Sequence, residues 1–232
     1  MPDRQPYIKW LTAKGTPVHG GTGAWPLPTQ RPDGAWTPGE SLSVAGEIVP
    51  CQNGLHFCRL DQAAQWCRAG TVPFLVQYRG PLVDHGDKVV AGTARLVRRL
   101  AWDDRLARHF ACDCAERVMR ATGWADARSW DAVRVARRYA NGHATEAELD
   151  AAWAAARDAW AAAWAAARDA WAAALAAARD AALGAAWAAG AAAWAAARDA
   201  AWAAVLGAAR DAARVWQGQR LWHYFTGGQP DA

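Results

Sequence analysis

Hydrophobic and polar positions follow two different rhythms along the chain, and the change falls near residue 101. Before it, apolar residues come in short alternating runs separated by Gly, Pro and Thr. Tyr7 to Ala13 reads as a strand, 15–39 as turns and loops, and "SLSVAGEIVPCQNGLHFC" as an extended segment, a tight QNG reversal and a second strand through Leu55 and Phe57. "RLDQAAQWCRAG" changes to helical spacing, with Leu60, Ala63, Ala64 and Cys67 on one face and Gly70 as a stop. "TVPFLVQY" and "KVVAGTARLVRRL", joined by "DHGD", form a further pair of strands. The whole is a small α+β unit.

After residue 101 the spacing becomes three and four. "DDRLARHFACDCAERVMRATG" has an acidic first turn, a basic last turn and a glycine stop, the polarity that the helix dipole favours. Its line Leu106, Phe110, Cys114 and Val118 predicts the inward face. "SWDAVRVARRYANG" predicts a second helix capped by Ser129 and ended by Asn141-Gly142. Thr145 and Glu148 then match a capping box and open a third helix, which runs through an eleven-residue, alanine-rich repeat.

In that repeat Trp153, Trp160, Trp164, Trp171 and Leu175 are spaced 7, 4, 7 and 4 residues apart. At about 100° per residue those steps turn by about −20° and +40°, so the large side chains make one narrow stripe. Arg157 and Arg168 follow four residues after Trp153 and Trp164, which predicts guanidinium–indole stacking. Burying an indole is worth on the order of 3 kcal/mol, so the stripe predicts a covering surface. Two coverings present themselves: a hairpin with the later segment carrying Trp187, Trp194, Trp202, Leu206 and Trp216, with Trp222 and Phe225 of the closing turns docking on the bundle, or one continuous helix that meets another subunit. Self-association or a protein partner is expected either way.

Composition sharpens this picture in three places. Nine of the 16 tryptophans lie beyond residue 151, so the packing role of indoles is concentrated in the repeat. The net charge of +4 is too mild to demand nucleic acid. Arg157, Asp158, Arg168 and Asp169 would each cost about 2.5 to 3.5 kcal/mol at a bilayer centre, which argues against a membrane partner. With no apolar leader in "MPDRQPYIKW" and five cysteines, a cytoplasmic protein with reduced thiols is expected.

Candidate chemistry is sparse. Cys51, His56, Cys58 and Cys67 supply the arithmetic of a tetrahedral Cys3His zinc site, the one cofactor the sequence suggests. The competing reading puts Leu55 and Phe57 on one face of a strand, His56 and Cys58 on the other, and Cys67 on an apolar helical stripe. Asp84, His85 and Asp87 suit acid/base work or, as simply, a hairpin turn. Arg95, Arg98, Arg99, Arg134, Arg137 and Arg138 are a candidate phosphate patch and the basis for weighing nucleic acid as a partner. Compact strand-rich folds that hold a nicotinamide dinucleotide, such as ADP-ribosyl transferases, carry scattered His, Tyr and Glu without a local motif; this domain has His19, His56, Tyr7, Tyr78 and Glu47, and no roles follow for them from the sequence.

Two resemblances bear on origin. "PCQNGLHFC", "FLVQYRG", "DHGDKVVAGTARLVRRL" and "ACDCAERV" together resemble an uncharacterised domain of phage and actinobacterial proteins, over about 7–120. "FACDCAERVM", "SWDAVRVARRYANGHATEAELDAAWAAARDA" and "RVWQGQRLWHYF" resemble alanine-rich helical immunity proteins and related phage proteins. They imply a binding or interaction protein of mobile-element type, non-enzymatic, directed at host defence or a toxin; an N-terminal enzyme or nucleotide-binding domain is the alternative. The expected organisation is a small strand-rich domain at 1–101, a two-helix connector at 102–143, Ala/Trp-rich long helices forming a bundle or hairpin at 144–226, and a disordered tail at 227–232.

Overall fold

The computed structural model describes residues 6–21, 23–181 and 207–230, and for 167, 171 and 174–181 it describes the backbone alone. The fold is mixed α+β. Strands β1 (Tyr7–Leu11), β2 (Thr29–Gln30), β3 (Trp36–Thr37), β4 (Leu42–Ser43) and β5 (Leu55–Arg59) precede a 3-10 turn, Leu60–Gln62, and the single-turn helix α1 (Ala63–Trp66). Next come β6 (Val72–Asp84), β7 (Val89–Arg99), α2 (Asp104–Thr122), α3 (Ala127–Ala140) and α4 (Glu146–Ala181); residues 207–225 form α5. The chain divides into two units, residues 1–110 with 213–232, and residues 111–212.

In the first unit all strand pairings in the larger sheet are antiparallel, in the order β4-β7-β5-β1-β6, and β6 also pairs with β7. That last pairing closes β7, β5, β1 and β6 into a ring, with two register shifts along β6 providing the bends such closure needs. Alternation then sorts the side chains. Leu11, Phe57, Phe74, Val76, Val89 and Leu96 share the inner cluster with Tyr7 and Leu55, whereas Ile8, Trp10 and Cys58 join an outer one. The division of β5 into a Leu55/Phe57 face and an opposite face with Cys58 thus holds.

The outer cluster is closed by α1 and α5. Leu60, Ala63, Ala64 and Cys67 all contribute to it, although the helix stops at Trp66 and Cys67 is already extended. Trp10, Trp102 and Phe225 meet edge to face at 5.6–5.7 Å, and the Trp10 indole donates to the Ala63 carbonyl at 3.0 Å. Gly218 is required where α5 crosses the 3-10 turn: a Cβ there would stand 2.7 Å from the Leu60 carbonyl oxygen. Residues 213–232 accordingly group with the strands, Leu221 and Phe225 of α5 being part of the outer cluster. Just beyond it the Gly228 N–H donates to the His223 carbonyl at 2.9 Å.

In the second unit α3 is capped by Asp126, which accepts from the Arg128 N–H, and not by Ser129; a carboxylate available one turn earlier lets the helix start sooner. The α2 expectation also needs correction. Val118 is 60% exposed, and the buried side chains are His109, Cys112 and Asp113. The inward face is turned toward polar residues because Arg137 of α3 binds Asp113 at 2.7 Å and Glu116 at 3.0 Å. Thr145 and Glu148 form the reciprocal capping box, Thr145 N–H donating to Glu148 Oε2 at 2.7 Å and Glu148 N–H to Thr145 Oγ1 at 3.2 Å.

Helix α4 packs on α3 through small residues: Ala159 is buried, and Leu149, Ala152, Ala156 and Ala163 are half-buried at three- and four-residue intervals. This seam lies roughly 100° around the helix from the tryptophans. Trp153, Trp160 and Trp164 are 58, 59 and 55% exposed, so the face that carries α4 onto its neighbour is the alanine face. Trp160 and Trp164 meet edge to face at 5.8 Å; among the described residues no guanidinium stacks on Trp153 or Trp164. The side chain of Trp171, and Trp187, Trp194 and Trp202, lie outside the described residues.

Candidate functional site

The first unit contains a cleft of about 540 Å³ walled by β1, the 17–25 loop, the 51–58 turn and strand, Trp66 and Lys88. Its floor follows from the strand rhythm. Lys9 alternates with Ile8 and Trp10 and so shares the side of β1 that carries Tyr7 and Leu11. Its ammonium sits 5.4 Å above the Trp25 ring, and burial pushes its pKa down to about 8. Among the described residues no carboxylate pairs with it.

A second lysine is delivered from the opposite wall by a braced hairpin. Gln62 donates to the Gly86 carbonyl at 2.8 Å, and the Trp66 indole donates to the Asp87 carbonyl at 2.7 Å. Asp84 accepts from the Gly86 N–H at 2.9 Å and pairs with Arg59. The turn so fixed leaves Lys88 5.3 Å above the Trp66 ring. His19 closes this side, packed edge-on at 5.0 Å to Trp66 and within 3.1 Å of its carbonyl oxygen.

His56 acts as a latch on the third wall. Its Nε2 accepts from the Cys51 N–H at 2.9 Å, which fixes it as the neutral form. Burial lowers its pKa, and Lys9 and Lys88 lower it further. The turn it holds is unusual: Cys51 has a φ of 65°, and Gly54 has a φ of 145° with Val90 Cγ1 only 2.3 Å from where a Cβ would stand. Asn53 sews the turn to the preceding loop by donating to the Ala45 and Glu47 carbonyls at 2.9 and 2.8 Å.

The four residues of the zinc arithmetic are not gathered into one group. Cys58 donates to the Ile8 carbonyl at 3.2 Å and burial pushes its pKa up to about 12, the opposite of what a thiolate ligand needs; Cys67 belongs to the outer cluster. Among the described residues no three His, Cys, Asp or Glu side chains converge as a metal group. Asp84, His85 and Asp87 sit in the hairpin turn outside the cleft lining. Of the dinucleotide candidates, His19 and His56 line the cleft, while Tyr7 and Tyr78 pack on Phe57 and Glu47 supplies its backbone carbonyl.

The arginine candidates are split between the units. Arg95 grips Gln77 at 2.6 and 2.8 Å, and Arg98 and Arg99 lie beside it on β7. Arg134 pairs with Asp131, Arg137 with Asp113 and Glu116, and Arg138 with Glu148. The α3 arginines are thereby neutralised in place. Trp216 is half-buried on α5 and Trp222 packs on the outer cluster.

Sequence reasoning missed Lys9, Lys88, Trp25 and Trp66. The available signal was compositional: only three lysines, Lys9, Lys14 and Lys88, stand among 26 basic residues, and one interrupts an otherwise apolar strand. Compared with known protein families, curated proteins and solved structures, the chain matches none. Among the described residues no helix is long and apolar enough to cross a membrane.

Proposed function

We propose that the chain is a cytoplasmic binding protein in which a small strand-rich N-terminal domain takes a small anionic ligand with a flat, apolar portion, of the nucleotide class. The observation that carries this reading is the cleft lining. Lys9, Lys88, His19 and His56 converge with Trp25 and Trp66, and among the described lining residues there is no carboxylate. Lys9 has no carboxylate partner among the described residues and Lys88 has Asp87 at 3.5 Å, outside the lining, so the cleft keeps an excess of positive charge that favours an anion, and indole faces favour a planar group. Calorimetric titration with adenosine monophosphate tests it: saturable binding that weakens with salt and drops by at least about tenfold in Lys88→Ala is expected, one charge–phosphate contact being worth about 1.5 to 3 kcal/mol. No heat with this nucleotide, with a nicotinamide dinucleotide or with inorganic phosphate would overturn it.

A second reading concerns the remaining, all-α part as a protein-binding or self-associating arm, in keeping with the resemblance to phage and immunity proteins. It is favoured by three tryptophans on one face of α4, each more than half exposed. Contiguous apolar surface of this kind marks interaction sites. Light scattering across a concentration series is the test: a monomer at every concentration removes the self-associating version.

A further inference from the structure

We propose that Lys9 is a nucleophilic amine, which forms a reversible imine with a small carbonyl compound held in the cleft by an anionic group near Lys88 and His19. The proposal deepens the reading of the cleft as an anion site and rests on it.

Three observations lead there. Arginine supplies 23 of the 26 basic side chains, yet two of the three lysines line this one cleft. Outside this cleft every basic side chain but Lys14 is arginine, and what lysine adds at position 9 is the capacity to give up its proton and attack. Lys9 also stands apart from the other lysines in its surroundings. It projects from a central strand of the ring, has the Trp25 ring as its neighbour and, among the described residues, has no carboxylate partner to hold its proton. Finally, Lys88 and His19 sit on the wall formed around Trp66, so anion recognition and the amine come from different elements of the same cleft.

The chemistry is simple condensation. The neutral amine adds its lone pair to the carbonyl carbon, and the carbinolamine loses its hydroxyl as water. Amine and carbonyl thus give imine and water with no change in oxidation state. A pKa near 8 leaves roughly a quarter of Lys9 neutral at pH 7.5, against about 0.1% of an ordinary lysine. The charged or titratable groups that share the cleft with it are His56 and Cys51 on the 51–58 wall and Lys88 and His19 across from it, and Cys58 of β5 acts on it electrostatically.

The test uses the full wild-type chain, pyridoxal 5'-phosphate as an anionic aldehyde and cyanoborohydride to reduce any imine, with the adduct located by peptide mass spectrometry. Lys9 is expected to carry at least about ten times the label of exposed Lys14, with a labelling rate that rises through pH 8. Pyridoxal, which lacks the phosphate, is expected to label Lys9 several-fold less, and inorganic phosphate to protect it. Lys9→Arg keeps the charge and should lose the label. Equal labelling of Lys14 and Lys9, or an unlabelled Lys9, overturns the imine; if adenosine monophosphate still binds, only the imine falls. Absence of nucleotide and phosphate binding as well removes the anion site itself.

Discussion

The closed ring of strands and helix α4 bury opposite kinds of residue. In the ring, large side chains are buried on both faces: Phe57, Phe74 and Leu96 inside, Ile8 and Trp10 outside against Phe225 of α5. In α4 alanines go inward and Trp153, Trp160 and Trp164 face water, with Ala159 buried and Trp160 59% exposed. Side-chain identity therefore specifies the ring, whereas helix propensity and a permissive alanine seam specify α4. The same difference locates chemistry, because converging elements build a cleft and a single helix builds only a surface.

If this contrast is right, the largest loss comes from the ring side. Phe225→Ala should cost about 3 to 5 kcal/mol, since it removes a ring buried between Trp10 and Trp102 and undocks α5. Denaturant unfolding followed by near-ultraviolet dichroism measures it. In the second unit the corresponding weak point is polar. Arg137→Ala leaves Asp113, 5% exposed, without its guanidinium, and a loss of about 2 to 3 kcal/mol is expected.

The pH dependence separates buried thiols from the buried amine. Burial raises Cys58 to about 12 and Cys67 and Cys112 to about 11, so the unfolded chain releases these protons first and stability falls as pH rises above 9. Lys9 acts in the other sense. With its folded pKa near 8 and its unfolded value near 10.5, it adds stability as pH climbs between the two. Three thiols outweigh one amine, so a stability maximum between about pH 8 and 9 is expected, with a loss on the order of 1 to 2 kcal/mol by pH 10. Lys9→Met should shift that maximum to lower pH. A smaller effect, about 1 kcal/mol, is expected for Thr145→Ala, which breaks the capping box of α4.

Legibility in the sequence tracked the range of the interactions. The α4 start was readable because Thr145 and Glu148 are three residues apart, and the β6–β7 hairpin because alternation and "DHGD" are local. Ring closure was not, since pairing Tyr7 with both Arg59 and Val76 is a matter of distant registers. The cleft was half visible. His19, His56 and Cys51 stood out as residue types, but Lys9 and Lys88 matter through neighbours 16 and 22 positions away, Trp25 and Trp66. The tryptophan stripe was legible as a stripe; which face of α4 meets α3 depended on how closely alanine lets the two helices approach.

Trp160→Ala is the sharpest test of the contrast, because the expected effect is close to zero. The indole is 59% exposed and its described ring contact is Trp164. Losing that contact and the partial burial costs about 1 kcal/mol, and alanine returns about half of it in helix propensity, so a net change within about 0.5 kcal/mol is expected. Unfolding of the isolated chain at low concentration, where association is absent, gives the number. A loss above about 2 kcal/mol would mean that another surface covers the stripe within the chain, and α4 would then resemble the ring in burying its large residues. A null effect at low concentration combined with a loss that grows with protein concentration would assign the stripe to an intermolecular contact, since only a bound state gains with mass action.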